Sequence, residues 1–98
     1  MRYIFVDLEM NPIARSYKQE RKICKTEIIE IGAVMLDESM IEVDSYKKYI
    51  KPEYNKRIEQ NIRHLTGIQD KDVAAGVSFG EMWNDFVEWC GEDCIIYT

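Results

Sequence analysis

Asp7 and Glu9 are the two residues whose type and spacing carry the most chemistry in this chain of 98 residues. They lie where the apolar run RYIFVDL at positions 2–8 is expected to end and a loop to begin. Side chains two apart on an extended strand leave the same face. At about 3.3 Å rise per residue their Cα atoms lie roughly 6.6 Å apart. Two carboxylates so placed repel one another unless a cation or a shared proton sits between them. Hard divalent ions take carboxylate oxygens, and two such ions about 3.5–4 Å apart clamp both oxygens of an in-line displacement at phosphorus. Asp-x-Glu by itself is a common pattern, and a solvated pair at a strand end is the competing reading.

Few other residues offer chemistry. His64 is the sole histidine and reads as a helix-end residue with a structural role. Glu30 lies on the second strand, where it has a chance of reaching the same site as Glu9. Cys24, Cys90 and Cys94 are odd in number, which suits reduced thiols in a cytoplasm. Cys90 and Cys94 lack nearby third and fourth ligands, so core or surface packing is favoured over zinc. No leader peptide or apolar stretch of roughly 20 residues for a membrane span is evident.

The elements that must position the two acids follow from periodicity. Residues 2–8 suit a central strand covered on both faces, followed by a polar, basic loop over 10–24. Residues 27–36 (EIIEIGAVML) and 40–50 predict two strands joined by the turn at Asp37-Glu38-Ser39, an antiparallel hairpin. Gly32 in mid-strand suggests a bulge or a close approach of neighbouring backbone. Ile58, Ile62 and Leu65 have helical spacing, with Gly67 as the stop and a further short turn over 70–75. The clearest helix follows Ser78, with Phe79, Met82, Trp83, Phe86, Val87 and Cys90 as one apolar stripe facing a core. Ser78 with Glu81 predicts a capping box. Residues 94–98 begin another strand, and a strand after a crossover helix runs parallel to an earlier one.

The net charge of −5 argues at first against a phosphate-rich partner. Its distribution weakens that objection, because all 13 Lys and Arg lie within residues 1–71. Two basic clusters stand out: Arg15, Lys18, Arg21, Lys22 and Lys25, then Lys47, Lys48, Lys51, Lys56 and Arg57. Each also reads as a solvated loop or strand face.

The ordered segments YIFVDLEMN (3–11), EIIEIGAVMLDE (27–38), YIKP (49–52), HLTGI (64–68) and the helix 79–89 resemble the DEDD 3′→5′ exonucleases. These RNase H-like proteins include ribonuclease T and the proofreading subunit of bacterial DNA polymerase III. The DLEMN wording is most similar to the RNA-trimming branch that also holds the sporulation-inhibitor type. The resemblance implies an α/β fold: a mixed sheet with an antiparallel three-strand start and a crossover helix. It also implies that Asp7 and Glu9 are catalytic and hold two Mg²⁺ or Mn²⁺ ions. Met10, Leu65 and Thr66 match positions that border the 3′-terminal nucleotide of single-stranded RNA or DNA, although a helix end packing on the core accounts for Leu65 and Thr66 equally well. His64 does not match the family's general base, and the family pattern gives Glu30 no ligand role.

The family's remaining two acids and its His or Tyr base have no counterpart in residues 1–98. The expected reading is therefore the N-terminal part of one exonuclease domain, inactive alone, whose uncovered apolar face favours self-association. The alternatives are a non-catalytic nucleic-acid- or protein-binding module, and a structural or metal-binding domain without nuclease chemistry.

Overall fold

β1 (Arg2–Pro12) is the strand on which the molecule is built. In the computed structural model, which describes Met1–Thr98, it pairs antiparallel with β2 (Thr26–Leu36) and parallel with β4 (Cys94–Tyr97). β2 in turn pairs antiparallel with β3 (Glu42–Tyr49), giving the sheet order β3-β2-β1-β4. Between strands lie the helices α1 (Lys18–Ile23), α2 (Gln60–Thr66), α3 (Asp70–Ala74) and α4 (Phe79–Cys90). This is the mixed α/β sheet expected, with the hairpin and the parallel crossover strand in place.

α4 covers one face of the sheet. Met82, Phe86 and Cys90 pack on Ile4, Ile31, Ala33, Met35 and Ile50, all nearly inaccessible to water. Burial pushes the Cys90 thiol up, which disfavours the thiolate a metal would need, so its role is packing. On the other face, α2 and α3 stand over the far end of β2. There Ile29, Ile58, Ile68 and Val73 form a smaller core. A bulge makes this second core feasible. Glu9 pairs with Glu30 but Met10 with Ile28, leaving Ile29 extra on β2. A bulge of this kind turns a side chain to the other face, and Ile29 joins the second core while Ile28 packs towards α4.

Four expectations need correction. β1 runs on through Pro12, and α1 occupies residues 18–23 where a loop was expected. The bulge lies at Ile29, and Gly32 needs neither a bulge nor a close approach: a Cβ there would meet nothing nearer than the Asp7 carbonyl at 3.9 Å. The crowded glycine is Gly76, whose Cβ would fall 2.5 Å from the Tyr49 carbonyl oxygen, beside the bridge between Ile50 and Val77. Finally, the apolar stripe of α4 is divided. Met82 and Phe86 are buried, but Phe79, Trp83 and Val87 are about half exposed (50%, 54% and 49%). Ser78 caps α4 by accepting from the Glu81 N–H at 3.2 Å.

Candidate metal site on the central strand

Strand alternation places the two acids together. Asp7 pairs with Gly32 and Glu9 with Glu30 across the β1–β2 ladder. These four residues share the face opposite α4, since Ile4, Ile31 and Ala33 point into the α4 core. Asp7 is exposed and Glu9 half-buried. The ion pairs of the molecule run to Glu38, Asp93, Glu30 and Asp70, so Asp7 and Glu9 have no internal cation. Because β1 runs on to Pro12, the two acids lie within the strand rather than at its end as expected, and without an internal partner they are free to accept an external cation.

The neighbouring acids are committed elsewhere. Lys47 Nζ lies 3.9 Å from Glu30 Oε2. Glu27 accepts from the backbone N–H groups of Glu53 (2.8 Å), Tyr54 (3.1 Å) and Asn55 (2.9 Å), tying the segment after β3 to β2. No third His, Cys, Asp or Glu joins Asp7 and Glu9 in a group able to hold a metal. Two hard carboxylates on one face fit one side of a Mg²⁺ or Mn²⁺ shell, which the ion completes with water, phosphate or other oxygens. Such an ion, when bound, would supply charge neutralisation at a phosphate and a more acidic water. Asp7 and Glu9 would contribute oxygens from one face of β1 to such an ion.

Asn11 is the positioning residue that sequence reasoning missed. It is fully buried, two places beyond Glu9 and on the same face. Its Nδ2 donates to the Arg57 carbonyl at 3.0 Å, and its Oδ1 accepts from the Glu59 N–H at 3.0 Å. Glu59 is the N-cap of α2, so one amide fixes α2 relative to the carboxylate strand. An asparagine at a strand end reads as a turn residue in sequence, and partners more than 40 positions away leave no local signal.

The expected substrate-binding residues divide. Leu65 is 79% exposed on α2, free of the core that its spacing suggested. Thr66 is half-buried, and its hydroxyl donates to the Ile62 carbonyl (2.8 Å) and accepts from the Ile68 N–H (3.1 Å). That describes a helix end. Met10 points its side chain away from Asp7 and Glu9, into a cavity of about 690 Å³ lined by Ile28, Ile50, Ser78 and Phe79. Only its backbone adjoins the acids. His64 is exposed on α2.

The sequence model of the exonuclease family RNase_T matches residues 4–98. The chain belongs to this exonuclease family. Over 64 residues it is 31% identical to rat 3′-5′ exoribonuclease 1, a stretch covering 64% of this chain and 19% of that protein. The mouse protein of the same name matches to the same extent. Among solved structures, the nuclease domain of 3′hExo, a DEDDh family member bound to rAMP, superposes with a TM-score of 0.79 at 21% identity. That match covers 97% of this chain and 50% of the other. Cell-death related nuclease 4 (CRN-4) gives 0.75 at 20% identity, over 97% and 33% of the two chains. At these identities the structures establish the shared fold. This exonuclease-family chain spans about a fifth of the rat relative's length and half of the 3′hExo nuclease domain.

Proposed function

We propose that these residues form the N-terminal part of a metal-dependent 3′→5′ exonuclease domain acting on single-stranded nucleic acid, RNA before DNA. In this reading Asp7 and Glu9 hold Mg²⁺ or Mn²⁺, and the 3′-terminal nucleotide sits between the Met10 backbone, Leu65 and Thr66. The observation that carries the proposal is the pair of carboxylates without an internal cation on one face of β1, Asp7 exposed and Glu9 half-buried, within the exonuclease family fold. The choice of RNA draws on the name exoribonuclease and on a fold neighbour titled for 3′-end recognition of histone mRNA stem-loop.

The chain alone is proposed to be inactive, because two carboxylates without a base or further ligands cannot hold and deprotonate water at a comparable rate. Calorimetric titration with Mn²⁺ tests the half-site. The expected outcome is weak binding by the parent and none by Asp7→Ala; equal titrations in both proteins refute it. Incubation of 5′-labelled single-stranded RNA with Mg²⁺ is expected to leave its length unchanged. A ladder of shortened products that Asp7→Ala abolishes would overturn the inactivity. A second reading, a non-catalytic binding module, is favoured by the lack of a third metal-ligating group beside Asp7 and Glu9. Tight RNA binding without any Mn²⁺ titration supports that module over the enzyme.

A further inference from the structure

The face that carries Asp7 and Glu9 has a second feature, one strand row wide. Asp7 pairs with Gly32, and Gly32 pairs with Lys47 on β3. The row across the sheet therefore reads carboxylate, no side chain, ammonium. Two ladder steps put the Cα atoms of Asp7 and Lys47 roughly 10 Å apart. Lys47 shares the carboxylate face, because its neighbour Tyr46 packs on Phe86 of α4 on the other side. Its ammonium stands 5.3 Å above the Tyr49 ring and 3.9 Å from Glu30. The side chain is 63% exposed, so these contacts aim the ammonium without burying it.

Gly32 strengthens the case. Its φ lies outside the left-handed region and a Cβ would have room, so neither backbone conformation nor crowding calls for glycine. What the missing side chain leaves is an open floor between Asp7 and Lys47. Beyond β3 the floor meets a cleft of about 530 Å³ lined by Lys47, Lys48, Lys71 and Asp72 among others. Asp72 is its one acid, and that carboxylate already accepts from the Gln69 N–H at 2.9 Å. The cleft thus sets three lysines against one carboxylate. That composition suits a phosphate backbone.

We propose that Lys47 is a substrate-positioning residue, holding a backbone phosphate of single-stranded nucleic acid beside the one at Asp7 and Glu9. The strand crosses the sheet over Gly32 and leaves past β3 towards Lys71. This rests on the exonuclease reading above and adds the path and its anchor. The rival role for a lysine on an edge strand is to deter pairing with another sheet. Lys48 separates the two. It sits next in the same strand with the same charge, but pairs with Ile31 of the α4 core and points to the other face.

The test measures fluorescence anisotropy of a 5′-labelled oligouridylate with the full chain in Ca²⁺, across a salt series, for the parent, Lys47→Gln, Lys48→Gln and Gly32→Val. Lys47→Gln is expected to weaken binding about three- to tenfold, the scale of one charged contact. Its slope of log K against log salt should fall by about 0.7, one phosphate on a single strand. Lys48→Gln should weaken binding less than Lys47→Gln, because Lys48 borders the cleft but its side chain leaves the opposite face of β3. Gly32→Val should melt no lower than the parent yet lose affinity, because its methyls fill the floor. Equal weakening in both lysine variants, or full affinity in Gly32→Val, overturns the proposal while leaving the exonuclease reading intact. Absence of binding by the parent itself sinks both.

Discussion

Asn11 shows how much of the site rests on a residue that does no chemistry. Both ends of its buried amide are spent on the backbone of residues 57 and 59. Truncating it removes the partners of a part-buried carbonyl and a part-buried N–H, each loss costing about 1–3 kcal/mol. We expect Asn11→Ala to destabilise the chain by about 2–4 kcal/mol, read as a lower urea midpoint at unchanged slope. Asn11→Asp should be no better, since it keeps the acceptor for Glu59 but removes the donor to Arg57 and buries a charge. An unchanged midpoint in Asn11→Ala would mean that α2 is held by other contacts. At this scale the sequence revealed the residues whose message is local. Asp7 and Glu9 were legible because alternation on one strand suffices to bring them together. Asn11, Glu27 and Lys47 were not, because each matters through a partner supplied by another segment.

Elements expose the same division. The four strands and α4 were readable from period and turn residues, because each buries a face whose spacing is written in its own sequence. The places where two elements touch were not. Gly32 drew attention as a glycine inside a strand, whereas Gly76, at the end of α3, is the one pressed against Tyr49. Gly76→Ala must displace the Ile50–Val77 bridge and should cost about 1–3 kcal/mol, the usual range for overpacking. Gly32→Ala should be neutral or stabilising by up to about 1 kcal/mol, since strands disfavour glycine. Thermal melts of the two variants check this, and the reverse order would contradict the close approach of Gly76 to Tyr49. The join between β3 and α4 gives a pH signature. Burial pushes the Tyr46 hydroxyl up to about 12, aided by its 2.8 Å hydrogen bond to Asp85. Between the ordinary tyrosine value near 10 and about 12, the unfolded chain has lost this proton and the folded chain keeps it. Stability from this group is therefore complete below about pH 10 and declines as pH rises through that window. Tyr46→Phe should remove that part of the alkaline decline in urea midpoints, at a cost of about 1 kcal/mol at neutral pH.

The whole molecule is less compact than its length suggests. A radius of gyration of 14.9 Å exceeds the roughly 12.6 Å expected for a domain of this size, and 15 of the 98 residues are buried. The uncovered surface is concentrated on one flank. Asp85 and Trp89 of α4 reach β3 through Tyr46 and Asp44. At 100° per residue, Trp83 and Val87 fall on the opposite flank of the helix, towards β4, where Ile96 is 47% exposed, whereas Phe79 borders the Met10 cavity at the other end of the sheet. On the sheet's other face Phe5 stacks on Tyr97 at 5.0 Å, and both are about two-fifths exposed (39% and 44%). Apolar surface of this continuity favours contact with more apolar surface. We expect the isolated chain to self-associate along the trough between α4 and β4, with an apparent mass in light scattering that rises through the micromolar range. Trp83→Lys sets a charge in the middle of that trough and should return the mass towards 11.6 kDa. Because position 83 lies outside the core formed by Met82 and Phe86, the substitution should leave the melting temperature of the monomer nearly unchanged. A parent chain that stays monomeric at these concentrations would refute the association. Association in both proteins alike would move it from the trough to the aromatic face beside Asp7.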